Sequence, residues 1–334
     1  MCSRRWRVLA AIFLLSSVVL TSWSRSALRN DYSLDIALID LPVPADVQLA
    51  RGLTVASLRE IRAERRDFGS YSALLAMPEG TFVAYSDQGR TLHFTSSPTA
   101  RFRIEQLAPM PARREQFQDV EAATRDPGDG RIWLAYESIN AIQRIAADGT
   151  TEAMVLPDEF SHWSDNGGPE SMVRLADGSF IILREVAGEG LLFPGDPTEG
   201  TPGVSFTFNP PQGYQPTDMA LLPDGRALIL VRGLAARWPP FKARLLIADP
   251  ATIRAGEAWQ WEPLADLNGP LPRENYEAVA VTEAEDGSWR IWIMSDDNSA
   301  VFQRTLLAEL RWEPQPARAA KEKGAAAEPG ALSD

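Results

Sequence analysis

Four acids and a serine stand at near-regular spacing along the chain. Ser72, Glu121, Glu170, Asp218 and Glu277 are separated by 49, 49, 48 and 59 residues. In a ring of equivalent units, carboxylates repeated in this way would converge at equal height around one axis. Like charges about 4 Å apart repel by about 4 kcal/mol at an effective dielectric of 20. Such a group either takes up protons or holds a hard cation. All-oxygen ligation, with Asn166, Asn275 and Asn298 as further donors, suits Ca2+ or Mg2+ over softer metals. The alternative is structural: each acid caps a strand end or binds backbone N–H groups of a neighbouring unit.

Each of these residues opens the same local pattern. Residues 118–137, QDVEAATRDPGDGRIWLAYE, read as two short apolar strands joined by the turn Asp126-Pro127-Gly128-Asp129-Gly130. Proline fixes one φ there and glycine supplies the positive φ. The second strand, Arg131–Tyr136, is apolar on both faces and must be covered on both sides. Residues 168–185, 216–233 and 275–298 repeat the unit, with turns Asp177-Gly178, Asp224-Gly225 and Asp286-Gly287; residues 69–89 form an outlying copy. The far end of each unit carries a second polar residue: Asp87, Glu137, Glu185, Arg232 (where the others have an acid), and the pair Asp296 and Asp297.

A period of 40–50 residues made of strands and turns predicts β-propeller blades, an all-β fold. Residues 31–312 number 282, which at 48 per blade gives close to six blades. Five copies are visible, so the expected sixth blade is assembled from residues 34–61 and 301–312, with five or seven blades as neighbouring alternatives. The propeller domain is expected over 31–313, as one closed unit.

Both ends differ from this body. Arg4, Arg5 and Arg7 precede an apolar run at residues 8–20 and small residues suited to cleavage. That pattern predicts a signal peptide over 1–24 and a periplasmic or secreted protein. Thirteen residues are short for a bilayer span, so a cleaved leader leaves no stable membrane insertion; an uncleaved anchor is the alternative. The only cysteine, Cys2, lies in the leader, so the mature chain would have no disulfide, thiolate chemistry or cysteine-bound zinc. Residues 314–334 are rich in Ala, Pro, Gly and charge and read as a disordered tail. The net charge of −12 excludes nucleic acid as a natural partner and fits a protein that collects cations.

Other catalytic patterns are sparse. No G-x-S-x-G elbow is present. His93 alternates with apolar residues and reads as a strand residue, whereas His162, in the turn-rich FSHWSDNGGPE, is the better acid–base candidate. Arg184, Arg232 and Arg125 are expected beside the repeat acids, where they would clamp an anionic group or pair with the acids. Trp163 and Trp238, in loops, are candidates for stacking on a ligand.

The phrases GSYSALLAMPEGTFVAYSDQGR, QDVEAATRDPGDGRIWLAYE, GPESMVRLADGSFIILRE and NYEAVAVTEAEDGSWRIWIMSDDN resemble the phytase-like domain called "esterase-like activity of phytase". This domain occurs in exported bacterial proteins, and the resemblance covers about residues 50–312. It implies a propeller distantly similar to calcium-dependent phytases, with ester or phosphoester hydrolysis as the activity. It also implies Asp87, Glu121, Glu137, Glu170, Glu185, Glu277 and Asp296 as channel carboxylates. Ser72 and Arg232 depart from that pattern, and the dense Asp and Lys clusters of phytases that bind several calcium ions are missing, which speaks against phytate.

Three functions are therefore expected in turn. The first is a hydrolase acting on a small anionic or ester substrate, with Glu121, Glu170, Glu277, Arg184 and His162 in the catalysis. Its divalent cation, Ca2+ or Mg2+, would be held by Glu121, Glu170, Asp218, Glu277, Asp87 and Asp296. The second is a lactonase similar to the gluconolactonase and regucalcin family. The third is a non-catalytic binding scaffold.

Overall fold

A computed structural model describes residues 35–43, 47–65, 67–97, 99–107, 119–164, 167–186 and 188–313. The expected leader, Asn166 and the expected tail lie outside the described residues. Among those described, no helix is long and apolar enough to cross a membrane.

The chain begins with β1 (Ala37–Asp40), β2 (Gln48–Ala50) and β3 (Leu53–Arg62), and then winds four antiparallel sheets in succession. Blade one is β4 (Tyr71–Met77), β5 (Thr81–Ser86), β6 (Arg90–Thr95) and β7 (Arg103–Gln106). Blade two is β8 (Val120–Arg125), β9 (Ile132–Tyr136), β10 (Ala141–Ile145) and β11 (Thr151–Val155). Blade three is β12 (Pro169–Arg174), β13 (Phe180–Arg184), β14 (Gly190–Phe193) and β15 (Val204–Phe206). Blade four is β16 (Gln215–Leu221), β17 (Ala227–Leu234), β18 (Phe241–Ala248) and β19 (Trp261–Asp266). Blade five takes β20 (Asn275–Glu283), β21 (Trp289–Asp296) and β22 (Thr305–Trp312), and is completed from the other end of the chain. Strand β3 pairs antiparallel with β22, from Thr305↔Ile61 to Trp312↔Leu53, and β1 and β2 pair with β3.

The architecture is thus a five-bladed propeller, not the six-bladed one expected. The five sequence copies are the five blades. The terminal segments do not build a further blade but supply the outer strands of the fifth. Dividing length by period counted those extra edge strands, and the long loops of blades three and four, as if they were one more repeat.

The repeated Asp-Gly turns form as their chemistry dictates. Asp177, Asp224 and Asp286 each accept the N–H two residues ahead, at 3.0, 3.1 and 3.0 Å, and the glycine after each has φ of +90°, +87° and +76°. The hydrophobic core is divided in the same way as the ring. Five buried clusters each join two adjacent blades; one, for example, unites Ala122, Trp133 and Ala135 of blade two with Met172, Phe180 and Ile182 of blade three. This is why the second strand of each hairpin is apolar on both faces.

A side-chain clasp closes the ring at one mouth. Asp297 accepts the Ser70 N–H of blade one at 3.1 Å and the Thr305 hydroxyl at 3.1 Å. Gly69 has φ +106°, and a methyl group there would stand 2.5 Å from Asp297 Oδ1. No other residue fits that position without displacing the clasp.

Candidate functional site at the acidic mouth

Every inner strand starts with a β-bulge. The ladder skips one residue between Tyr71 and Ala73, Val120 and Ala122, Pro169 and Ser171, Pro216 and Asp218, and Tyr276 and Ala278. The extra residues are Ser72, Glu121, Glu170, Thr217 and Glu277. A bulge re-aims a side chain that regular alternation would place elsewhere. In blades two, three and five that side chain is the repeat glutamate.

Blade four therefore differs from the expectation. Its bulged residue is Thr217, and Asp218 stands one step along, where the other blades have Ala73, Ala122, Ser171 and Ala278. Asp218 is buried, and its two oxygens accept Met219 N–H at 2.8 Å and Val279 N–H at 2.7 Å. It fastens blade four to blade five, the structural role that the sequence left open. Pro169-Glu170 and Pro216-Thr217 align once the proline is used as the anchor instead of the acid.

A second tier lies at the end of the second strand of each blade. Asp87 N–H donates to Ser70 O at 3.0 Å, Glu137 N–H to Asp119 O at 3.1 Å, and Glu185 N–H to Gly168 O at 3.2 Å. In the ladder, Arg232 pairs with Gln215 and Asp296 with Asn275. Asp87, Glu137, Glu185, Arg232 and Asp296 are therefore equivalent, with Arg232 in an acid's place as the sequence indicated.

The two tiers form one electrostatic patch. Loss of water, then Glu170, Asp119, Asp87 and Glu137, pushes the Glu121 carboxyl well above the ordinary range. Glu170 is raised in the same way by burial and by Glu277, Glu185 and Glu137. Burial and Asp297, with Asp87 and Glu277 beyond it, raise Asp296. Burial lifts Glu277 to about 7, against the pull of Arg232, whose Nε lies 3.1 Å from Glu277 Oε1.

The compact part of this patch is not the four repeat acids. Asp119, Glu121 and Glu137 each offer one carboxylate oxygen, and these oxygens lie within 4.8 Å of one another. Asp119, just before β8, Glu121 in its bulge and Glu137, at the end of the hairpin partner, meet within one blade, whereas the bulged glutamates of different blades form no such group among the described residues. Asp119 is the member that repeat spacing does not single out. The signal available was its position two residues before Glu121. It has φ +89°, and Ser70, Asn140, Asn298 and Ser299, all at this mouth, also have positive φ. Backbone strain of this sort clusters at functional sites.

The donor set fits a hard cation. It consists of carboxylates, and two buried side-chain oxygens of the same rim, Asn140 Oδ1 and Asn275 Oδ1, have no hydrogen-bond partner among the described residues.

The remaining candidates are placed apart from this group. Arg184 donates through Nε to Gly167 O at 3.0 Å, lies 3.4 Å from Glu189 and covers the Trp163 ring at 5.4 Å. His162 is exposed and pairs with Glu189 at 3.0 Å; among the described residues no hydrogen bond or ion pair joins it to the channel acids. Trp163 is buried, stacked on Phe160 at 4.3 Å, and so is closed to a ligand, while Trp238 is 54% exposed. His93 sits in β6 beside Thr91 and Glu105. Arg125 ends β8 and lies at the opposite mouth, not beside the acids.

Solved structures of related shape are distant in sequence. Glutaminyl cyclase of Myxococcus xanthus is 12% identical, with TM-score 0.46 over 84% of this chain and 99% of that one. The PQQ-bound aldose sugar dehydrogenase of Streptomyces coelicolor is 13% identical, with TM-score 0.45 over 87% and 100%. A luciferin-regenerating enzyme is 10% identical, with TM-score 0.45 over 83% and 95%. No curated protein matches the sequence. The family model described as phytase-like, "esterase-like activity of phytase", matches residues 66–299, and the chain belongs to that family.

Proposed function

We propose that this phytase-like propeller hydrolyses an ester or phosphoester at its acidic mouth, assisted by a divalent cation. The observation that supports the reading most is the Asp119, Glu121 and Glu137 group, with its oxygens within 4.8 Å of one another. Ca2+ takes oxygen ligands at about 2.3–2.6 Å, so ligands of one ion stand within about 5 Å of each other. These three residues would hold the ion, with Asn140 Oδ1 beside them. When bound there, a divalent cation polarises a carbonyl or phosphoryl oxygen and lowers the pKa of a bound water.

The rest of the mouth handles charge and protons. Arg232 pairs with Glu277 between blades four and five. Glu170, whose carboxyl burial and its acidic neighbours push above the ordinary range, would serve as the proton donor toward a leaving oxygen, and Glu277, lifted to about 7, would exchange a proton near neutral pH.

The test is melting and turnover on the purified protein. Calcium should raise the melting temperature and support hydrolysis of a p-nitrophenyl ester or phosphate, and chelator should remove both. Glu121→Gln should blunt both effects. A melting curve indifferent to calcium and chelator overturns the cation site. Calcium stabilisation without turnover of either substrate leaves a cation-binding scaffold and overturns the hydrolase.

A further inference from the structure

The mouth opposite the acids has a different chemistry. A cavity of about 530 Å3 opens there, and each of the five inner strands contributes an apolar wall residue: Leu74, Ala123, Val173, Met219 and Val279. Its volume lies in the range of small-molecule sites, which are mostly apolar with a few polar groups that fix orientation.

Its charged lining is one acid, Glu283 at the end of β20, and two arginines from adjacent blades, which are not equivalent. Arg174 is engaged, with Nη2 2.8 Å from Asp126 Oδ2 and Nη1 donating to Leu175 O at 3.2 Å. Arg125 makes no ion pair or side-chain hydrogen bond among the described residues, and its Nε is buried without a partner. A guanidinium retains its charge at any physiological pH and presents a planar fork that matches a carboxylate. A guanidinium with no carboxylate partner among the described residues, at the lip of an apolar funnel, is complementary to an anionic head on an aliphatic chain.

We propose that this second mouth binds a medium-chain fatty-acid carboxylate, with the chain in the funnel and the head on Arg125. The site is separate from the acidic mouth and needs no cation. It would make the propeller a two-ended molecule, with hydrolytic chemistry at one end and amphiphile recognition at the other.

The experiment is calorimetric titration of the intact protein with acetate, hexanoate, decanoate and decanol, in chelator. Affinity should rise with chain length by up to roughly fourfold per buried methylene. Decanoate should bind about tenfold more tightly than decanol, the effect of one charge-assisted hydrogen bond. Arg125→Gln should remove that preference and leave decanol unchanged. Ala123→Phe, which fills the funnel, should weaken both. If neither variant folds, the wild-type comparison of decanoate with decanol decides. Equal affinity for the two in the wild type, or no binding of either, overturns the proposal, as does decanoate binding that survives both substitutions.

Discussion

Arg232 Nε stands 3.1 Å from Glu277 Oε1, and both side chains are largely shielded from water. The pair joins the second strand of blade four to the bulge of blade five. Arg232 occupies the tier position that holds Asp87, Glu137, Glu185 and Asp296 in the other blades, so one of the five tier positions carries a cation. In blade two the equivalent position keeps its acid, Glu137, which groups with Asp119 and Glu121, and a cation bound there would have their charge to neutralise.

Removing that internal cation should make the protein depend on an external one. Arg232→Met leaves Glu277 buried without its partner, which costs about 3 kcal/mol for a shielded pair. The melting temperature in chelator should fall, and calcium should recover more of it than in the wild type. A variant that melts like the wild type in chelator would show that the pair contributes nothing.

Stability should fall as pH rises toward and past neutrality when no cation is present. Burial raises Glu277 from 4.5 to about 7, and Glu170 and Asp296 are also raised. Between the unfolded and folded values the native state binds more protons than the unfolded chain, so the stability of unfolding decreases with pH. Melting curves from pH 5 to pH 8 in chelator should shift downward, and Glu277→Gln should flatten the slope. A rising melting temperature over that interval would contradict the assigned direction.

Asp218 and Glu121 should separate by what they depend on. Asp218→Ala leaves Met219 and Val279 N–H groups buried without an acceptor, at about 1–3 kcal/mol each. Its melting temperature should drop while the increment from calcium stays that of the wild type. Glu121→Gln should do the reverse, with a small change in chelator and a lost increment. Loss of the calcium increment in Asp218→Ala would restore Asp218 to the ligand set.

The clasp at Gly69 should be sensitive to one methyl group. Gly69→Ala meets Asp297 Oδ1 and demands a positive φ, so the junction of blades five and one should open first. Amide hydrogen exchange should rise at Ser70 and Thr305 before it rises in blades two to four. Uniform exchange across all blades would argue against a local closure point.

The repeat itself was legible in the chain, because strand alternation, Asp-Gly turns and doubly apolar second strands are local patterns. Short-range sterics and hydrogen bonding suffice to set them. The tier of Asp87, Glu137, Glu185, Arg232 and Asp296 could be read for the same reason, since each residue simply ends a recognisable strand. Blade number was not local. It depended on where the two ends of the chain pair, and the partnership of β3 with β22 spans nearly the whole described chain. Nor could spacing tell Thr217 from Asp218, because a bulge shifts register by one residue and an acid one step out of place still looks like the repeat. Only the assembled ring decided that Asp119 joins Glu121 and Glu137 in one compact group, that Asp218 turns to the backbone of blade five, and that Arg125 belongs to the far mouth. Those relations are distances between strands, and sequence separation does not encode them.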